Sequence, residues 1–393
     1  MMNDHRGRLP RKSYDVIIIG AGSIGTPIAY YLSRSGFSTL VIDSEPSVGQ
    51  GSNKRAIGGI RATHSDPAKI ALCQRSIEIF STWKDIFGDE IEWVKGGYCF
   101  VAYRDIEKKS LIDLLSKQRA YNLEIEWYEK EDLLKIVPDL NLKDLLGGTY
   151  SPNDGNASPL LSIHAFYSHS VEQGADFRFR ETVTGFTNSG DTITGVKTNL
   201  GEYVGKFIIL AAGAGSRSLG QLLSLDLPVF PDSHEAAITE PVERFLNPMI
   251  VDIRPKADSS NFYFYQHFTG QIVFCITPTP NEWGTEIRET SSFLPMVSTR
   301  LLEVMPRLFN LRVRRTWRGL YPMTPDGFPL VGEITERPGF ILATGMCGQG
   351  FMLGPGIAEL IVRMITNNLY PGDKMILEYL SPYRKFDKQE LLK

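Results

Sequence analysis

Cysteine is scarce in this chain of 393 residues, and the four present, Cys73, Cys99, Cys275 and Cys347, form no Cys-x-x-Cys pair and no metal-ligand spacing. No metal site is therefore expected, neither zinc nor iron–sulfur, and each thiol reads as a small buried hydrophobe in a reducing compartment. A surplus of one charge is missing too: 42 Lys and Arg stand against 45 Asp and Glu, with no long run of one sign. That leaves no electrostatic footprint for nucleic acid and favours small-molecule chemistry. Nor does any apolar run reach transmembrane length, and the basic start from Met1 to Lys12 lacks the apolar core of a signal peptide. We expect a cytoplasmic protein with no transmembrane segment. Internal repeats and low-complexity tracts are absent.

What the chain does have is glycine, 36 residues of it, in a sequence that is 42% hydrophobic and 22% charged. This is an α/β composition with sharp turns, long enough for two or three lobes. Tyr14 to Ile19 is a short apolar strand, Thr26 to Ser35 a helix, and Ser38 to Asp43 a second apolar strand, so a βαβ unit with a parallel sheet opens the chain. Between strand and helix lies Gly20-Ala-Gly22-Ser-Ile-Gly25, where glycines permit a tight turn, approach to a pyrophosphate and close helix packing. Asp43 ends the next strand, 23 residues after Gly20, placed to accept from a ribose hydroxyl. This unit serves NAD and FAD alike. Two distant segments favour FAD: Ile208 to Gly215, an apolar strand ending in small residues, and Ala343 to Pro355, a second glycine-rich turn before a helix. An extended cofactor is touched from such scattered places.

Elsewhere, Asp66-Pro67 starts a helix with Ile70, Cys73, Ile77, Phe80 and Phe87 at helical spacing. The charged amphipathic segments Ile106 to Tyr121 and Lys130 to Ile136 read as an inserted cap rather than a sheet core. Ser151 to Pro159 is a turn-rich boundary, and aromatic strands are expected at Phe262 to Tyr265 and Ile272 to Ile276 before a helix from Ser292 to Met305. The last helix is placed at about Pro355 to Thr366. The fold class is α/β: a Rossmann-type, GR2-like FAD-binding domain (1–90, 150–227 and 322–393) interleaved with an α+β substrate-binding domain (91–149 and 228–321) on a mostly antiparallel sheet.

Nearly the whole chain resembles the D-amino-acid-oxidase-like FAD-dependent oxidoreductases, most closely the β (catalytic) subunit of dye-linked L-proline dehydrogenase and sarcosine oxidase. The resemblance is carried by Gly58-Gly-Ile-Arg61, Gln74 to Glu78, Arg315-Thr-Trp-Arg-Gly-Leu-Tyr321, Thr324-Pro-Asp-Gly327 and Gly348-Gln-Gly-Phe-Met-Leu-Gly-Pro355. It implies that Gly20, Gly22, Ser23 and Gly25 hold the pyrophosphate, Asp43 the ribose and Val183 the adenine. Ser44, Ser52, Gly59, Ile60, Ala212, Gly213 and Tyr321 complete the implied cofactor contacts. Gly345, Gly348, Gln349, Gly350, Phe351 and Met352 surround the pyrimidine side of the flavin, where a helix N-terminus stabilises negative charge.

For the substrate the resemblance implies Arg61 as the clamp on a carboxylate, a role suited to its bidentate fork. Tyr265, Gln266, Tyr321 and Gln349 are further substrate-binding candidates, and His64, Tyr263 and His267 possible pocket residues. His234 reads as a structural histidine. No acid–base residue is assigned, because hydride transfer from Cα to a flavin needs orientation and exclusion of water more than a dedicated base. The expected reaction is oxidation of a small secondary amino acid of the proline, hydroxyproline or sarcosine type to an imine. The FAD is expected to be non-covalent, since Gly319 stands where sarcosine oxidase links its flavin through cysteine. Electrons are expected to pass to a partner subunit in a hetero-oligomer. The alternatives are a free-standing peroxide-producing oxidase and a non-catalytic flavin-bearing assembly subunit. Ile272 or Val273 in place of an oxygen-activating lysine argues against the oxidase.

Overall fold

The computed structural model describes residues 12–392; most of the basic start lies outside them. Strand β1 (Ser13–Ile19), helix α1 (Gly25–Arg34) and strand β2 (Thr39–Asp43) form the opening unit, followed by the short strand β3 (Gly59–Ile60) and helix α2 (Pro67–Phe87). Next come β4 (Tyr98–Ala102), α3 (Asp105–Ala120), β5 (Glu126–Glu129), α4 (Lys130–Ile136), β6 (Gly147–Ser151), β7 (Gly155–Asn156) and α5 (Pro159–Glu172). The middle of the chain holds β8 (Asp176–Phe179), β9 (Val183–Ser189), β10 (Thr192–Thr198), β11 (Glu202–Leu210) and α6 (Ser216–Gln221). Strands β12 (Phe230–Pro241), β13 (Met249–Asp252), β14 (Ser259–Gln266) and β15 (Gln271–Pro278) precede α7 (Phe293–Val304) and β16 (Val313–Met323). The chain returns through β17 (Leu330–Glu333), β18 (Phe340–Thr344), α8 (Gly350–Ile365) and α9 (Asp373–Leu380).

Two eight-stranded sheets organise these elements. The first runs β17-β18-β11-β1-β2-β8, with the β9–β10 hairpin added to β11. Its β18, β11, β1, β2 and β8 are joined by parallel ladders. Strand β1 keeps Val16 to Ile19 buried, because a parallel strand covered on both faces needs a continuous apolar run rather than alternation. The second sheet runs β16-β12-β15-β14-β13-β4-β6-β5 and is antiparallel except where β13 meets β4. The expected combination of a parallel nucleotide-binding sheet and a mostly antiparallel one is present.

Asp66 caps α2 through its carboxylate, which accepts from the Ala68 and Lys69 amides, and Pro67 takes the first helical position. Two expectations change. The two charged segments read as an inserted cap are helices α3 and α4, but the strands that flank them, β4, β5 and β6, continue the second sheet to its edge, so the helices pack on that sheet rather than forming a separate cap. The exposed charged helices masked these short strands. Helix α8 begins at Gly350, five residues before the proline taken as its start, and Pro355 lies inside it. A Cβ on Gly354 would stand 2.0 Å from the Ser23 carbonyl oxygen, so only glycine lets α8 lie against the start of α1.

Candidate active site

The turn between β1 and α1 is built by backbone necessity. Gly20 has φ +110°, open to glycine alone, and a Cβ on Gly25 would stand 1.9 Å from the Gly20 carbonyl oxygen. Gly22 has only open space where a Cβ would be. Asp43 reaches back to this turn: its carboxylate accepts from the Ala21 amide at 2.6 Å and from Glu45 at 2.8 Å. The N-terminus of α8 comes down beside Ser23, so two helix N-termini point at one space.

That space is a cavity of about 710 Å³, reaching from Gly20, Asp43 and Val183 to the face of the second sheet. Strand alternation decides what meets it. Along β14, Asn261 and Tyr263 face the cavity, while Phe262 and Phe264 enter the core behind with Ile250, Phe274 and Ile276. Tyr263 lies opposite Val251 on one side and Cys275 on the other, and Cys275 lies opposite Ala236; all four line the cavity.

The Tyr263 and Tyr321 hydroxyls share a hydrogen bond of 2.7 Å. Burial, with the Cys275 thiol beside both, holds them well above the ordinary tyrosine value, so they are neutral hydroxyls and not proton acceptors. His234 stacks on Tyr321 with ring centroids 3.8 Å apart, and its Nε2 lies 3.1 Å from the Asp232 carboxylate. Burial opposes charge on Asp232, yet hydrogen bonds from His234, Asn281 and the Glu282 amide outweigh it and lower its pKa. Tyr263, a possible pocket residue by sequence, lines the cavity, and so does His234, which the sequence reads as structural; the sequence pairs neither of them with Tyr321. The only signal was their placement on alternating strands, which does not reveal the facing partner.

Arg61 lines the cavity but is 6% exposed. Its guanidinium donates to the Thr63 and Leu392 carbonyls and lies 3.2 Å from His64 Nδ1. Below it, Asp154 accepts from the Ala62 amide and the Thr63 hydroxyl, and burial raises its pKa to about 6. Glu390 lies 3.3 Å from Lys69, both side chains fully buried. The C-terminal tail therefore closes the site behind Arg61.

The cavity brings together Gly20, Gly22, Ser23, Asp43, Ser44, Ser52, Gly59, Arg61, Val183, Ala212, Gly213, Tyr321, Gly348, Gln349, Gly350, Phe351 and Met352. Several candidates do not line it. Gln266 points to the opposite face of β14, where its amide group binds the backbone of Val242, Glu243, Phe245, Leu246 and Gly270. Tyr265 lies beyond the cavity and donates to the Ile57 carbonyl at 2.7 Å, supporting the Gly58–Gly59 turn from behind. Ile60 is in the core, Gly25 is packed under Gly20, and Gly345 shapes the turn beside Thr324. His64 is buried beneath Arg61, and His267 pairs with Thr269.

A glycine turn at the end of a parallel βαβ unit, joined by one cavity to a tyrosine-lined antiparallel sheet, defines a dinucleotide-dependent enzyme with a separate substrate wall. Residues 15–364 match the DAO family, FAD dependent oxidoreductase, and the chain belongs to that family. It is similar to the crystal structure of L-proline dehydrogenase from P. horikoshii, at 30% identity and TM-score 0.87 over 96% of this chain and 98% of that one. It is 25% identical to glycine oxidase of Bacillus licheniformis over 91% of this chain and 94% of the relative. Sarcosine oxidase subunit beta of Arthrobacter sp. is 24% identical over 91% of this chain and 88% of the relative.

The residues present fit FAD. The cavity exceeds what a small amino acid alone requires. Gly22, Gly51, Gly213 and Gly215 offer bare backbone with open space where a Cβ would stand. Gln349, at the start of α8, has its side-chain oxygen buried with no hydrogen-bond partner. Among the described residues no group of His, Cys, Asp or Glu could hold a metal, and no helix is long and apolar enough to cross a membrane.

Proposed function

We propose that this chain is a dehydrogenase that oxidises a small secondary amino acid of the proline, hydroxyproline or sarcosine type to an imine. The reading rests on the one cavity joining the nucleotide turn to the Tyr263–Tyr321 wall. FAD, when bound, supplies the acceptor for a hydride from the substrate Cα. The nitrogen lone pair forms the C=N bond as that hydride leaves, and the N–H proton goes to solvent, so the amine has to be neutral when it reacts.

The chain's own residues then have defined tasks. Arg61 is the clamp for the carboxylate, with Tyr321 and Gln349 beside it. Met249 and Val251 give the apolar ring or methyl group a dry surface. The two hydroxyls can bond the amine or the carboxylate but cannot take the proton, which agrees with there being no dedicated base. We divide the chain into the FAD-binding and substrate-binding segments that the sequence indicates. Likeness to a sarcosine oxidase β subunit supports a hetero-oligomer in which a partner subunit receives the electrons.

A peroxide-producing oxidase is the rival, supported by the glycine oxidase similarity. Strand β15 disfavours it: Cys275 and Thr277 face the cavity, and the strand carries no lysine to stabilise reduced oxygen. The test is to mix the holoprotein anaerobically with L-proline, sarcosine, glycine and a D-amino acid, then compare turnover with an artificial dye and with air. Bleaching by a secondary amino acid with fast dye turnover and slow peroxide release is expected. Fast peroxide release equal to the dye rate overturns the dehydrogenase reading.

A further inference from the structure

Residues 281–290 form a loop that follows β15 and is bridged to the start of β12 at Asp232–Trp283, and Thr285 and Ile287 in it line the cavity. The loop has almost no core of its own: Trp283 is 60% exposed and Ile287 41%. Polar ties to the start of β12 hold it. The Asn281 side chain donates to Asp232 Oδ2 at 2.6 Å and the Glu282 amide to Oδ1 at 2.7 Å. The Gly284 amide donates to the Pro231 carbonyl at 2.9 Å, and the Ser233 hydroxyl to the Glu286 carbonyl at 2.8 Å. Arg318 pairs with Glu282 and donates to the Arg288 carbonyl.

Asp232 is fully buried, and its third donor comes from the cavity wall: His234 Nε2, on the ring stacked against Tyr321. One carboxylate thus holds the loop on one side and the aromatic wall on the other. We propose that Asp232 is a positioning residue that makes closure of the 281–287 loop over the cavity and alignment of the His234–Tyr321 wall a single event. When the loop lifts, Asp232 loses the Asn281 and Glu282 donors, water reaches its carboxylate, and His234 no longer has a fixed partner. When the loop closes, both the roof and the wall are set. This deepens the proposed function, because the same wall faces the amine.

The test uses the FAD-loaded protein and two variants, Asp232→Asn and Asn281→Ala. An asparagine at 232 has to turn an NH₂ toward at least one of three donors. Asn281→Ala cuts only the loop side, so it carries the test if the first variant does not fold. Hydrogen exchange of the 281–287 amides, followed by mass spectrometry without substrate, should be about tenfold faster in each variant with FAD content unchanged. With L-proline or sarcosine, whichever reduces the wild type, KM should rise about tenfold and kcat fall less. Unchanged exchange in the variants overturns the proposal, and so does faster exchange with unaltered KM and kcat. If no amine reduces the wild type, the functional reading fails separately, while the exchange rates still decide whether Asp232 holds the loop.

Discussion

The hydroxyls of Tyr263 and Tyr321 meet at 2.7 Å although β15 and β12 lie between their strands. The two rings reach across the sheet and touch the Cys275 thiol, so the wall facing the amine is fixed by side chains from non-adjacent strands. Gly348 makes room for it: a Cβ there would stand 2.1 Å from the Tyr321 ring.

Tyr263→Phe should therefore leave the Tyr321 hydroxyl with only the Cys275 thiol as a partner while packing is kept. A thiol is a weak hydrogen-bonding group, and a buried hydroxyl that loses its strong partner costs about 1–3 kcal/mol. We expect kcat/KM for the amine to fall about tenfold or more with FAD retained. Steady-state kinetics with a dye acceptor check this, and an unaltered kcat/KM would remove the pair from the substrate wall.

Gly25→Ala should abolish cofactor binding. Its Cβ cannot share space with the Gly20 carbonyl oxygen at 1.9 Å, so the turn that faces the pyrophosphate has to open. The expected product is a colourless protein, read as flavin absorbance per chain. In the wild type, acid precipitation should release the yellow colour into the supernatant, since Gly319 offers no atom for a covalent link. Colour retained in the pellet contradicts non-covalent binding.

Arg61→Ala should raise KM strongly for an amino-acid substrate while FAD stays bound. Loss of a buried charge-assisted pair costs about 2–5 kcal/mol in kcat/KM. The same substitution also frees the Leu392 carbonyl. Unchanged kinetics with lowered thermal stability would make Arg61 a tether for the tail and nothing more.

Acid should unfold the protein partly through Glu390. Burial alone would raise its pKa, but Lys69 at 3.3 Å and the Ser65 hydroxyl hold it well below its ordinary value of 4.5. A depressed folded pKa means that the stabilisation is complete above 4.5 and is lost as pH falls further. Glu390→Gln should lower Tm near neutral pH, because Lys69 is left buried and unpaired at a cost of about 3–5 kcal/mol. It should also flatten the fall of Tm below pH 4.5, and thermal melts against pH read both effects.

The sequence by itself determined the parallel sheet, the glycine turn, Asp43 and the capped helix at Asp66, because each is local. A run of β-branched residues, a backbone that needs glycine, or a cap followed by proline carries its meaning within a few residues. The second glycine-rich turn, Ala343 to Pro355, was legible in the same way, and resemblance to the family added only the expected role beside the flavin. Tertiary structure alone decided which face of β14 meets the cavity. It turned Gln266 to the core side and kept Tyr263 on the wall, because alternation defines two faces without saying which is apolar core and which is wall, and it set Tyr265, on the wall side, past the end of the cavity against the Ile57 carbonyl. It also set His234 on Tyr321 and Leu392 on Arg61, pairings that join residues 87 and 331 positions apart. Contacts at that separation depend on how the two sheets pack, and neither partner's neighbours in the chain record them.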